Sequence, residues 1–271
     1  MISALPSLDF TALAALDAVT VVPLIDSTNT ALLQNADTLP FFEPHHAAQC
    51  LIAREQTAGR GRNARAWHAP ADSALLMSLG FQTTLPLAAL SKLGLWAGLA
   101  VAQTLHALGI DAKIKWPNDI YVGDAKIAGL LIETKPSLYG TACVIGVGLN
   151  WSASPQIDRK TTCIHAILST AAHNIGNNSD FEKQFLPRLL GALNQSIALC
   201  HSQSATELVH AFAFFDYLLG KTVQSTHAQT GEVLLQGVAA GLSKNGGLLL
   251  RVGEALHEIH SGEVSVRITN I

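Results

Sequence analysis

The sequence predicts a mixed-sheet α/β (α+β) domain followed by a small all-β unit. Three observations carry this reading. Up to about residue 218, strand-length apolar runs are interleaved with longer helical stretches. Two of the runs, Lys126–Glu133 and Ala142–Leu149, are separated only by a Pro-Ser-Leu-Tyr-Gly turn region, which makes them an antiparallel hairpin. From Gly220 onward short strands alternate with Gly-rich turns, forming a partly open barrel of about 50 residues. The division expected is 1–218 and 219–271.

Each element has a local reason. Residues 1–25 are mostly small and apolar and add a helical turn or an edge strand. Asp26-Ser27-Thr28-Asn29 supplies N-cap side chains for a short helix over Thr30–Leu33. Gln49–Arg54 and Ser73–Phe81 read as strands, the second with Leu75, Met77, Leu79 and Phe81 in alternation. Pro86 suits a first helical turn and opens one long buried helix to about Leu108. Lys113–Lys115 is a further strand before the hairpin. Asp180–Cys200 is amphipathic, with Phe181, Phe185, Leu189 and Leu193 at helical spacing, and Thr206–Phe215 is another helix. The terminal strands are Lys221–Ser225, Glu232–Ala240, Leu248–Val252, Leu256–His260 and Glu263–Ile268.

Composition excludes several classes. In 271 residues, 49% hydrophobic and 14% charged describe a folded, core-rich chain. A net charge of -3 argues against a general nucleic-acid binder. Cys50, Cys143, Cys163 and Cys200 are far apart and contain no CxxC pair, so a zinc site or disulfide framework is not expected. Free thiols, with no secretory pattern at the N-terminus, fit the cytoplasm. Leu93–Ile110 carries no charge but includes Gln103, Thr104 and His106, and reads as a core helix and not a membrane span.

Chemistry concentrates in four segments. Gln56–Trp67 holds Arg60, Arg62 and Arg65, with Arg54 just upstream, and glycines at 59 and 61. Such a loop brings backbone close to an anion while guanidinium groups neutralise it. Lys115-Trp116-Pro117-Asn118-Asp119 is a rigid strand-end turn: the lysine suits phosphate, and the Asn/Asp pair suits a hydrated Mg²⁺. Gly123–Glu133 delivers Lys126 to the start of an apolar strand, with Gly129 permitting close backbone approach. Simple alternation puts Glu133 on the face opposite Lys126. Gly146-Val147-Gly148-Leu149-Asn150 ends a strand in glycines and an amide suited to metal or phosphate. The chain has no Gly-x-x-x-x-Gly-Lys-Ser/Thr loop.

Taken in order, these segments resemble the biotin protein ligase family. The resemblance runs from Asp26-Ser27-Thr28-Asn29 through Gln56 with Gly59-Arg60-Gly61-Arg62, Lys115–Asp119, Lys126–Gly129 with Glu133, and Gly148-Leu149-Asn150, to Ser261–Ser265. It implies a catalytic domain of the biotin/lipoate ligase type with an SH3-like β barrel behind it. It implies formation of biotinyl-5′-AMP from biotin and MgATP, then transfer to a lysine of a biotin carboxyl carrier protein. Ser27, Thr28, Asn29 and Gln56 are then expected at the biotin head, with Arg60, Gly61, Arg62, Lys126 and Gly129 along the ligand. Arg60, Arg62, Lys115, Asn118 and Asn150 are expected to serve ATP, and Asn118, Asp119 and Asn150 the Mg²⁺. Lys115, Lys126 and Arg62 are the catalytic candidates. Trp67 is expected to fix the far end of the loop by burial.

A lipoate or octanoate ligase of the same fold is the alternative. A biotin-responsive repressor is disfavoured, because the 25 residues before Asp26 are too few for a DNA-binding module. Neither nucleic acid nor membrane is expected as a partner, and homodimerisation is left open. One departure stands out: the family's third loop glycine is Ala64 here, which costs on the order of 1 kcal/mol if φ there is positive. His45-His46 and Asp124 read as a solvated pair and a turn residue.

Overall fold

The computed structural model describes residues 19–43, 48–155, 160–170, 178–202, 205–261 and 264–269. The His45-His46 pair lies outside them. The first sheet contains β1 (Val19–Ile25), β2 (Gln49–Gln56), β3 (Ala74–Thr83), β4 (Ala112–Lys115), β5 (Asp119–Val122), β6 (Ala125–Ser137) and β7 (Gly140–Asn150). Its order is β1-β2-β3-β7-β6-β5-β4. β1 and β2 are parallel and the other pairs antiparallel, so the sheet is mixed as predicted. Within residues 1–25, 19–25 form the edge strand.

β3 sits centrally and is buried along its whole length, which a strand covered on both faces requires. On one face lies α1 (Thr28–Gln34), whose Leu32 packs with Leu51, Val144 and the following Ala36 and Leu39. The other face carries α2 (Leu87–Leu90), α3 (Leu93–Ala107) and α5 (Asn178–Ser202), with α4 (Ile164–Thr170) and α6 (Ala205–Phe215) beside them. The single helix expected from Pro86 to Leu108 is therefore two. Ser91 Oγ donates to Ala88 O at 2.7 Å, competing with the backbone at the break between them. By length and composition Leu87–Ala107 could cross a membrane, yet two thirds of its most apolar window is buried within the fold. α4 and β5 were not anticipated. The hairpin β6–β7 was, and its turn is tighter than the five-residue region: Ser137 pairs with Gly140.

The second sheet holds β8 (Thr222–His227), β9 (Val233–Leu242), β10 (Leu248–Val252), β11 (Ala255–Ile259) and β12 (Val264–Ile268), in the antiparallel order β11-β10-β9-β8-β12. It is not closed among the described residues, where β11 and β12 are its two edges, in keeping with the partly open barrel expected. One apolar cluster continues from the first sheet through Phe212 and Leu218 to Val223, Leu248 and Val266, so the two sheets share a core. A polar tie joins them as well. The buried Trp116 indole donates to Gly246 O at 3.0 Å.

Candidate active site

A cavity of about 770 Å³ opens between the first sheet, the arginine loop and β12. All thirteen residues singled out as site residues line it. Its floor is backbone. A Cβ on Gly148 would lie 2.6 Å from Trp67 Cε2, so only glycine lets that indole lie flat on the strand. At Gly146 a Cβ would strike the Asn29 side chain. Trp67 thus fixes the loop end as expected, while its Nε1 is buried without a protein partner.

One end of the cavity is a polar network, neutral at Thr28, Gln56 and Ser78 and bordered by the Arg60–Glu133 ion pair. Gln56 Oε1 accepts from Thr28 N at 2.7 Å and lies 3.0 Å from Thr28 Oγ1. Ser27 caps α1 through Thr30 N. Beneath them the fully buried Ser78 Oγ is 2.6 Å from both Thr28 Oγ1 and Asn29 Oδ1. Asn29 Oδ1 can only accept, so the Ser78 proton goes there. Asn29 Nδ2 donates to Glu133 Oε2 at 2.8 Å, and Arg60 reaches Glu133 Oε1 at 3.1 Å and Thr30 Oγ1 at 3.0 Å. Sequence reasoning missed Ser78; its signal was a lone hydroxyl inside an apolar strand.

The other end is charged. Lys126 Nζ lies 2.5 Å from Asp119 Oδ1, with side-chain exposures of 13% and 19%, and 5.3 Å from the Trp67 ring centroid. The alternation argument placed Lys126 and Glu133 on opposite faces, and this is wrong. Ile120 pairs with Ala128 but Tyr121 with Lys126, leaving Ile127 as an extra residue. This β-bulge turns Ile127 and Ala128 both into the core and brings Lys126 round to Gly129 and the cavity. Lys115 Nζ sits 5.4 Å from the Tyr121 ring centroid. Burial pushes the Arg62 guanidinium below its usual range, Asp119 opposing and Arg65 adding to the shift. Arg62 Nη2 donates to Ser261 O, so the loop reaches the second sheet. Arg267, Tyr121, His68 and Thr161 also line the cavity and were not singled out; Arg267 enters only through tertiary packing of β12.

The amides are partly committed. Asn118 Nδ2 donates to Leu130 O at 2.6 Å, and Asn150 Nδ2 to Thr162 O at 3.0 Å. Asn150 Oδ1 is buried with no protein partner. No group of three His, Cys, Asp or Glu side chains able to hold a metal exists among the described residues. The described donors therefore do not make a resident metal cage, and Asn150 Oδ1 is a buried oxygen left for an incoming group.

The loop itself is ordered by Gly61 N to Arg65 O at 2.7 Å and Trp67 N to Gly59 O at 2.9 Å. Between these contacts Asn63 and Ala64 both stand at φ 55°. Ala64 thus occupies the left-handed region, where an alanine costs about 1 kcal/mol relative to glycine. Ala64→Gly is expected to favour this loop path and slow tryptic cleavage at Arg62 and Arg65 about fivefold, since cleavage follows the open population. An unchanged cleavage rate would show that the strain does not govern opening.

Comparison with known proteins finds two family matches along the chain. Residues 21–150 match the Biotin/lipoate A/B protein ligase family, and residues 218–267 match the Biotin protein ligase C terminal domain. The Bifunctional ligase/repressor BirA of Escherichia coli (strain K12) is 29% identical over 251 residues, covering 92% of this chain and 74% of the relative. The Biotin--[acetyl-CoA-carboxylase] ligase of Mycobacterium tuberculosis is 29% identical over 250 residues, covering 90% of this chain and 87% of the relative. The solved biotin protein ligase from Aquifex aeolicus in complex with biotin and ATP superposes with a TM-score of 0.71 at 25% identity, covering 93% of this chain and 99% of that one.

Proposed function

We propose that this chain, which belongs to the biotin/lipoate A/B protein ligase family, is an ATP-dependent biotin–protein ligase. The observation that carries the proposal is one cavity holding a neutral hydrogen-bonding end at Thr28 and Gln56, a glycine floor under Trp67, and a cationic end at Lys126. Biotin has the matching parts: a ureido head, an apolar ring and chain, and a carboxylate.

In the first step a biotin carboxylate oxygen attacks the α-phosphorus of ATP and pyrophosphate leaves. Two anions must meet, so the site has to cancel their repulsion and stabilise charge as the new bond forms. Lys126 receives the carboxylate and then the acyl phosphate, exchanging its Asp119 contact for the ligand. Ser27, Thr28, Asn29 and Gln56 orient the head, and Gly129 lets the chain approach the strand. Lys115 and Arg62 meet the phosphates, with Asn118 and Asn150 completing the nucleotide site and Gly61 carrying the loop over it. Arg60 contributes through the loop, tied to Glu133. A Mg²⁺ bound with ATP would screen its phosphates beside Asn150. In the second step a lysine amine of the carrier domain attacks the acyl carbon and AMP leaves. Closure by Trp67 and the loop keeps water from the anhydride meanwhile.

The match of residues 218–267 to the biotin protein ligase C terminal domain favours biotin over lipoate. The finer reading is a cytoplasmic enzyme serving a biotin carboxyl carrier domain, divided at 218/219, with neither nucleic acid nor membrane among its partners. Biotin-dependent exchange of labelled pyrophosphate into ATP tests the first step, with lipoate as the comparison. Transfer to a carrier domain tests the second. Exchange supported by lipoate and not by biotin would overturn the assignment.

A further inference from the structure

Lys115 is held by more than its own strand. Its Nζ is 5.4 Å from the centroid of the buried Tyr121 ring, within cation–π range. Tyr121 in turn stacks on Tyr217, with centroids 4.8 Å apart and planes 24° from parallel. Tyr217 lies in the segment joining α6 to β8 and is fixed at three points. Its N–H donates to Ile114 O at 3.0 Å, its hydroxyl donates to Asp124 Oδ1 at 3.0 Å, and Lys221 Nζ sits 3.5 Å from its ring centroid. Each ring of the stacked pair thus carries an ammonium group. An aromatic face attracts an ammonium through its quadrupole and does not neutralise its charge. Such a contact gives a phosphate-seeking lysine direction.

We infer that Tyr121, backed by Tyr217, is a positioning residue for Lys115 and sets the affinity of the nucleotide half of the site. The inference rests on the ligase reading. It also gives the segment between the two sheets a part in catalysis, because Tyr217 is anchored to β4 directly beside Lys115.

The test uses the full chain and biotin-dependent pyrophosphate exchange. Tyr121→Leu is expected to raise the KM for ATP about fivefold, while calorimetry shows an unchanged Kd for biotin. Tyr121→Phe keeps the ring and is expected to hold the wild-type KM. Lys115→Ala/Tyr121→Leu is expected to be no worse than Lys115→Ala alone, because the ring acts through that lysine. The inference is overturned if Tyr121→Phe is as impaired as Tyr121→Leu, if biotin affinity falls in step, or if the two losses multiply. A wild-type protein with no biotin-dependent exchange would instead sink the ligase reading, a separable outcome.

Discussion

Lys126→Ala is expected to lower biotin-dependent pyrophosphate exchange about a thousandfold, the upper range for removing one fixed group that stabilises developing charge. Two effects combine at this position. The cation that meets the carboxylate is lost, and the mostly buried Asp119 carboxylate, held 2.5 Å from Nζ in the intact protein, is left facing the incoming anion. Adding Asp119→Asn to Lys126→Ala should recover thermal stability, since the lysine that offset the desolvation of this carboxylate is gone. It should recover only part of the exchange, because the positive charge is still missing. Circular dichroism melts and exchange assays on both variants separate the contributions. Exchange within tenfold of wild type for Lys126→Ala would remove Lys126 from its assigned role.

Arg62→Gly is expected to release biotinyl-adenylate roughly ten- to a hundredfold faster, the range given by the loss of one or two charge-assisted hydrogen bonds. The guanidinium is desolvated, lies near Asp119, and donates to Ser261 O. The loop is thereby pinned to the second sheet across the mouth of the cavity. Without that side chain the loop keeps its backbone contacts, its indole and the Arg60 contacts to Glu133 and Thr30. Quench-flow measurement of adenylate release, together with labelling of bystander lysines, reads the change. A release rate equal to that of wild type would mean that the loop does not retain the intermediate.

Much of the site was legible because the chain uses charge sparingly. Arginines and lysines clustered in a sequence with 14% charged residues point to the place where anions are handled. The helix cap at Ser27, the glycines of β7 and the turn at Trp116 are local signals, and their residues do line the cavity. What the sequence hid was set by tertiary packing. Ser78 reads as a strand residue until Thr28 and Asn29 are laid against it. Arg267 reaches the cavity only because β12 is folded over from the second sheet. The face of Glu133 was misjudged because alternation assumes an unbroken pleat. The helix from Pro86 was misjudged because no proline or glycine marks its break. A seryl hydroxyl bonds Ala88 O at the break, and the same contact is tolerated inside α5 at Ser196.

The extra residue at Ile127 restores the phase that an odd spacing would otherwise lose. Lys126 and Glu133 are seven positions apart, an odd count, yet both serve one cavity, the first as its cation and the second as the tether for Arg60. Removing Ile127 would make that spacing even, and a regular pleat would then keep Lys126 on the same face as Glu133. Straightening the bulge at unchanged length would instead rotate Lys126 toward the apolar layer now filled by Ile127 and Ala128. Apolar substitutions at Ile127 should pass almost unnoticed, because the site depends on the phase of the strand and not on that side chain.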